Sequence, residues 1–216
     1  MKKLLKAYKH IIWDWNGTLL DDAWLCVDVM NNMREKRSMP PINGKIYEAL
    51  FDFPVIDYYR KLGFDFEKEP FETVSTEFIT EYDERKFECD LRDTARQTLA
   101  DFFNRNIPQT ILSAAKHNTL LDIVRHFKLE PYFQDISGLD DHHAFGKTEN
   151  ARRMVAAIDY EPEEILLIGD TIHDHEVAQE IGVDCCLIHS GHQDRNRLEA
   201  CNVKVVKDFK DLTENG

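Results

Sequence analysis

Short apolar runs separated by stretches of helical spacing make up most of this chain. Ile11-Ile12-Trp13, Thr110-Ile111-Leu112, Ile165-Leu166-Leu167-Ile168, Cys185-Cys186-Leu187-Ile188 and Val203-Lys204-Val205-Val206 are flanked by Gly, Asp and Ser. Brief runs of this kind, mostly without polar alternation, are the pattern of parallel strands buried on both faces. Between 113 and 183 the apolar positions recur every three or four residues instead. Leu120, Leu121, Val124 and Phe127 form one such set, and Ala151, Met154, Val155 and Ile158 another. That spacing lines one face of a helix. Strands alternating with helices predict an α/β fold, a parallel sheet with helices on both faces.

Residues 21–90 break this rhythm. Asp21 and Asp22 offer a helix N-cap, and Trp24, Val27, Met30 and Met33 follow at near-helical spacing until Pro40-Pro41. Pro54 and Pro70 can each open a further helix, and Gly63 can close one. No strand pattern is visible here. The predicted organisation is an α/β core of residues 1–20 and 91–216, with residues 21–90 as a helical insert after the first strand. Tyr47, Phe51, Phe53, Tyr58, Tyr59, Phe64, Phe66 and Phe71 give the insert enough aromatic bulk for a small core of its own. No internal repeat or low-complexity segment interrupts the pattern.

A length of 216 residues suits one large domain or one domain with a modest insert. Acids outnumber bases 40 to 27, a formal charge of −13. That argues against non-specific nucleic-acid binding, which needs clustered Lys and Arg, and against anionic membranes. A small anionic substrate stays compatible, because a metal and a few local cations can reverse the field within one site. The five cysteines (26, 89, 185, 186, 201) are odd in number and form no Cys-x-x-Cys. They are expected to be free thiols in a reducing compartment, with Cys185 and Cys186 on opposite faces of one strand. Met1-Lys2-Lys3-Leu4-Leu5-Lys6 has the charge of a signal peptide, but Lys6, Lys9 and His10 interrupt the apolar run that must follow. No window approaches a membrane span, and the expected location is cytoplasmic. The oligomeric state is left open.

In an open parallel sheet, ligands bind beyond the carboxyl ends of the strands. Those ends carry Asp14, Ser113 and Asp170, with Asp174 four residues later, while Lys147 precedes a helix expected from Thr148. Converging carboxylates repel unless a cation joins them, and a few hard oxygen ligands suit Mg²⁺. A carboxylate set opposite a metal-bound phosphoryl group is placed for in-line attack, so Asp14 is the candidate nucleophile and would form an aspartyl-phosphate. Lys147 would neutralise charge, and Ser113 with the adjacent N–H of Ala114 would hold phosphate oxygens. Taken singly, such residues are more often turn formers, caps or surface charges. Their joint order is what points to a site.

With these positions in place, the chain resembles the haloacid dehalogenase superfamily over nearly its whole length. The first family motif, Asp-x-Asp-Gly-Thr, is similar to Asp14-Trp15-Asn16-Gly17-Thr18. Ser113, after its strand, resembles the family's second motif, and Lys147, before a helix, its third. The fourth, Gly-Asp-x-x-x-Asp, is matched by Gly169-Asp170-Thr171-Ile172-His173-Asp174, with Ala178 and Gly182 continuing it. The resemblance implies a Rossmann-like core and a helical cap that closes over the site and selects substrate, nearest to the phosphoglycolate phosphatase-like branch. It also implies Mg²⁺ held by Asp14, Asp170 and the backbone carbonyl of Asn16, with Asp174 supporting the metal site or Lys147. In the cap, Trp24, Tyr58, Tyr59 and Arg60 are the expected positions for specificity.

One departure matters. Family phosphatases usually carry Asp at position 16 as general acid and then base, whereas an amide moves no proton at neutral pH. Such transfer is worth roughly 10²–10⁴ in rate. Restoring the acid, Asn16→Asp, is then expected to raise hydrolysis of an unactivated phosphomonoester about tenfold or more. Three readings follow: a phosphatase of a substrate needing little acid help or borrowing an acid from the cap or His173; a dehalogenase-type hydrolase of another bond; or a member with impaired turnover that binds a phosphorylated ligand or partner protein. The excess of carboxylates argues against the second, since the family's dehalogenases need no magnesium.

His173-Asp174-His175, His142-His143 and His189 with His192 raise zinc or a His-Asp phosphohydrolase as rivals. The latter needs an all-helical setting, and no Cys or His spacing matches a structural zinc site. Solvated or helix-surface roles are expected for these histidines, with His117 and His173 close enough to two motifs to reach a substrate pocket.

Overall fold

The computed structural model describes residues 8–139 and 146–213. Its strands, in chain order, are β1 (His10–Trp13), β2 (Leu20–Asp21), β3 (Asp90–Leu91), β4 (Gln109–Lys116), β5 (Asp135–Leu139), β6 (Ile165–Gly169), β7 (Asp184–Ile188) and β8 (Lys204–Val206). Six of them form one sheet in the order β5-β4-β1-β6-β7-β8. Every pairing in it is parallel. Trp13 stands opposite Ile111 of β4 on one side and Ile168 of β6 on the other. The chain leaves β1 toward β4 in one direction and reaches β6 in the other, so the residue after Trp13 lies at the switch point of the sheet.

Alternation along the strands sorts their side chains into two cores. Ile11, Trp13, Leu166, Ile168, Cys186 and Ile188 face one cluster, while Ile12, Ile165 and Leu167 face the other. Cys185 packs against this second cluster, so the adjacent cysteines do take opposite faces. All five cysteines are free. Trp13 is fully buried, packs edge-on to Phe102 and Phe209, and donates its indole N–H to Gln109 Oε1 at 3.1 Å. Burying a large apolar side chain like this contributes about 1.5–3 kcal/mol.

Helices α1 (Ala23–Lys36), α2 (Gly44–Leu50), α3 (Val55–Lys61) and α4 (Phe71–Arg85) lie between β2 and β3. The remaining helices are α5 (Ala95–Asn104), α6 (His117–His126), α7 (Gly146–Ala156), α8 (Ile172–Ile181), α9 (Arg195–Glu199) and α10 (Lys210–Thr213). Pro54 and Pro70 stand at the N-caps of α3 and α4, and Gly63, at φ 92°, follows the end of α3. The left-handed conformation there is one that glycine adopts without steric cost.

The structure corrects the sequence reading of the elements at several places. β2 and β3 pair antiparallel at the root of the insert, where no strand was expected; two residues each carry too short a pattern to read. β5 was also missed. Asp135-Ile136-Ser137-Gly138-Leu139 is an edge strand, exposed at its start and buried only at Gly138 and Leu139, so it never forms an apolar run. On α1 the buried face is Leu25, Cys26, Val29, Met30 and Met33; Trp24 is 44% exposed. Finally, Asp22 occupies the N-cap position of α1 without capping it. Its carboxylate is used elsewhere.

Candidate active site

Asp14 continues the sheet by one hydrogen bond, from its N–H to Ile168 O at 2.9 Å. This fixes the carboxylate just beyond β1, where it is 6% exposed. The chain then turns sharply. Leu19 and Leu20 both donate N–H to Trp15 O, and Gly17 sits at φ 73°. A Cβ at Gly17 would collide with the Asp170 carboxylate and the His192 ring, and one at Gly191 would collide with Asp170 as well. Two glycines thus let backbone approach the same carboxylate closely.

Lys147 lies in the first turn of α7 rather than in a preceding loop. The adjoining residues 140–145, with His142 and His143 among them, lie outside the described residues. Lys147 Nζ reaches Asp14 Oδ1 at 2.5 Å and Asp174 Oδ1 at 2.6 Å, with all three side chains buried. Asp174 belongs to a reciprocal cap at the start of α8. Its Oδ2 accepts from Thr171 N–H at 3.0 Å, from the Thr171 hydroxyl at 2.7 Å and from Asp170 N–H at 3.2 Å. Both Asp174 oxygens are therefore engaged by the protein, and the residue anchors Lys147.

Asp14 and Asp170 are less well satisfied. Asp14 Oδ2 and Asp170 Oδ1 both face the Thr18 hydroxyl, at 3.0 and 3.1 Å. One hydroxyl proton cannot serve two carboxylates. Burial pushes the Asp14 pKa up to about 8; Lys147 pulls it down, while Asp174 and Asp170 add to the rise. Burial likewise pushes Asp170 up to about 6, against the pull of His192. Asp174 stays below the usual carboxylate range: Lys147 and the Thr171 hydroxyl outweigh its burial. The carboxylates of Asp14, Asp170 and Asp174 approach within 4.8 Å of one another, the one such group among the described residues. Together with one lysine they leave a buried excess of negative charge facing a shared oxygen-lined point. A divalent cation with a preference for hard oxygen ligands fits that donor set.

The other predicted residues divide. Ser113 is buried on β4 and its hydroxyl accepts from Ala115 N–H at 3.0 Å, with no hydrogen bond to Asp14 or Lys147. Ala114 beside it is half-buried. Asn16 is half-buried, and its amide Nδ2 donates to Asp22 Oδ2 and to the Tyr82 hydroxyl, both at 2.8 Å. In the insert, Tyr58 and Tyr59 are 2% exposed and pack within its core, while Arg60 pairs with Asp57 at the surface. His173 packs on Phe53, and His117 Nδ1 accepts from Gly138 N–H at 3.3 Å.

Sequence reasoning missed a second group beside the first. Asp22 Oδ1 accepts from Gly17 N–H at 2.7 Å, and Oδ2 accepts from the Tyr82 hydroxyl at 2.7 Å as well as from Asn16. His192 Nε2 lies 3.5 Å from Asp22 Oδ1, its Nδ1 shares a hydrogen bond with the Tyr47 hydroxyl at 2.9 Å, and its backbone N–H donates to Asp170 Oδ2 at 2.5 Å. Burial favours the neutral form of His192, but Asp22 and Asp170 outweigh it and raise the pKa to about 9. Asp22, for its part, is held low by His192, Asn16 and Tyr82 in spite of its burial. The signal that would have found His192 is positional, because Gly191-His192-Gln193 follows β7 at the same sheet edge as Asp14 and Asp170.

A six-stranded parallel sheet of Rossmann-like fold thus gathers an acid after β1, a buried lysine and two acids after β6 at one place. Residues 11–188 match the haloacid dehalogenase-like hydrolases, and the chain belongs to that family. It is 25% identical over 213 residues to the pyrophosphatase PpaX of Oceanobacillus iheyensis, covering 95% of each chain. It is 23% identical over 198 residues to the tyrosine-protein kinase PtkA of Mycobacterium tuberculosis, covering 91% of this chain and 67% of that one. Among solved structures, the haloacid dehalogenase-like hydrolase SP0104 of Streptococcus pneumoniae superposes with a TM-score of 0.80 at 17% identity, covering 96% of this chain and 98% of that one. No helix among the described residues is long and apolar enough to cross a membrane.

Proposed function

We propose that this hydrolase is a magnesium-dependent phosphatase of a small phosphorylated metabolite, acting through an aspartyl-phosphate on Asp14. The observation that carries the reading is the asymmetric setting of Asp14. Lys147 grips one oxygen, while the other shares the single Thr18 hydroxyl with Asp170, so a divalent cation would complete the pair. Asp14, Asp170 and the backbone carbonyl of Asn16 would hold the ion, which when bound supplies positive charge to the phosphoryl oxygens and the attacking carboxylate.

The protein's own groups divide the remaining work. Asp14 attacks phosphorus as the bond to the leaving oxygen breaks, and water later attacks the phosphorus of the aspartyl-phosphate to regenerate the carboxylate. Lys147, fixed by Asp174, holds Asp14 in one orientation and offsets charge on the transferring group. Ser113 and the Ala114 N–H are the proposed phosphate donors. The insert α1–α4 would serve as the cap, as in the phosphoglycolate phosphatase-like branch. With an amide at position 16, no proton reaches the leaving oxygen from that side chain. Substrates whose leaving groups depart as stable anions, acyl phosphates above all, are therefore favoured.

The test is phosphate release from a panel of acyl, aryl and alkyl phosphates with and without magnesium. Release that requires magnesium, with acyl phosphates turned over faster than alkyl esters by about 10²-fold or more, is expected. Halide release from a haloacid without magnesium, or tight ligand binding with no turnover, would move the assignment to the dehalogenase-type or binding reading.

A further inference from the structure

We propose that Asn16, Asp22, Tyr82, His192 and Tyr47 form a polar latch that holds the helical insert down over Asp14, and that the amide at position 16 serves this latch. The insert contributes Tyr47 from α2 and Tyr82 from α4; Asp22 sits at its root; Asn16 and His192 belong to the sheet edge. Each tyrosine hydroxyl contacts one member of the Asp22–His192 pair. The pair in turn touches the catalytic turn at Gly17 N–H and Asp170 through the His192 backbone. Closing the insert and ordering that turn are thus parts of one hydrogen-bonded unit.

Contacts behind the pair point the same way. Glu48 O and Phe51 O, at the end of α2, are carbonyls that a helix leaves without internal partners. Gln193 donates to Phe51 O at 3.0 Å, Asp194 N–H to Glu48 O at 3.3 Å, and Arg197 to both carbonyls. The segment after β7 therefore binds the insert while its His192 N–H holds Asp170.

The latch also explains the residue type at position 16. Asn16 Nδ2 is a donor to a buried carboxylate at 2.8 Å. An aspartate there would set two carboxylates against each other, so restoring the acid loosens the insert. The rise in rate expected for Asn16→Asp from chemistry alone then needs a compensating change. Exchanging the pair, Asn16→Asp with Asp22→Asn, keeps a donor and an acceptor in contact.

The reporter is the Gly17 N–H, which donates to Asp22; the Asp14 N–H, bonded to Ile168 O, is the internal control. Hydrogen exchange at both is read by NMR on the whole chain without substrate or metal, so the outcome is independent of the phosphatase reading. In Tyr47→Phe/Tyr82→Phe, which removes two hydroxyls and keeps both rings, Gly17 exchange is expected to accelerate about tenfold or more with Asp14 unchanged. Asn16→Asp should accelerate it similarly, and the exchanged pair should return it toward the parent rate. Tyr58→Phe, which removes a buried hydroxyl without a hydrogen-bond partner among the described residues, should leave it alone. Gly17 exchange unchanged in the tyrosine variant, or rising in step with Asp14, would overturn the latch. Should the double variant not fold, the single Tyr82→Phe change decides the Asp22 arm by the same two outcomes.

Discussion

Asp14→Asn is expected to lower magnesium-dependent phosphate release by about 10³-fold or more, because in the proposed mechanism both half-reactions pass through an aspartyl-phosphate that the amide cannot form. Its effect on stability should run the opposite way from the usual cost of a buried substitution. The Asp14 pKa is raised above its unfolded value, so keeping the buried carboxylate ionised opposes folding. The sign follows directly: the folded state binds the proton more tightly, so this group favours folding most at low pH and loses that contribution as pH rises from about 4 to about 8. The substitution removes the charge, and Lys147 keeps Asp174 as its partner at 2.6 Å. Measured without metal at neutral pH, the variant should unfold at a temperature equal to or above that of the parent. A loss of activity accompanied by a marked fall in Tm would instead make Asp14 a structural residue.

Lys147→Met should lose activity to a similar degree and lose stability with it. The side chain is the single cation between Asp14 and Asp174, and all three are buried. Removing one partner from a buried ionic cluster leaves the others uncompensated, at a cost of about 3–5 kcal/mol. Denaturant unfolding without metal measures it. The pair of variants is more telling than either alone, since both abolish turnover while only the lysine variant loses stability. A Lys147→Met protein as stable as the parent would mean that the carboxylates take up protons freely, and that no strong charge cluster exists.

The core of the fold was legible because its strands are buried on both faces. Ile11-Ile12-Trp13 and Ile165-Leu166-Leu167-Ile168 must be apolar without interruption, since neighbours in sequence serve opposite cores. The edge strand β5 escaped notice because it is not buried enough to leave a pattern, and the pair β2–β3 because two residues each are too few to show one. The site was readable where its residues are placed by the ends of strands. Asp14 and Asp170 follow β1 and β6 directly, and Lys147 and Asp174 join them through single hydrogen bonds. It was unreadable where two distant segments meet through side chains. Asp22 has the sequence position of a helix cap, Tyr47 that of a packing aromatic and His192 that of a surface histidine, while Tyr82 carries no sequence signal of its own. Only folding the insert back onto β7 brings them into one network. Packing among the insert's own aromatics buries Tyr58 and Tyr59, which sequence placed among the specificity positions.

In the proposed mechanism, attack by Asp14 and the later attack of water differ in what they need from position 16. The first step uses the carboxylate, Lys147 and a good leaving group; the second needs a base, which Asn16 is not. With an acyl phosphate as substrate the second step should be the slower one, and the aspartyl-phosphate should accumulate. Acid quenching during turnover with magnesium, followed by borohydride reduction and peptide mapping, reads this directly, since the reduced aspartyl-phosphate leaves homoserine in place of aspartate. Homoserine at position 14, dependent on magnesium and absent from Asp14→Asn, is the predicted result. Sustained phosphate release with residue 14 recovered only as aspartate, or with the label on another carboxylate, would contradict it.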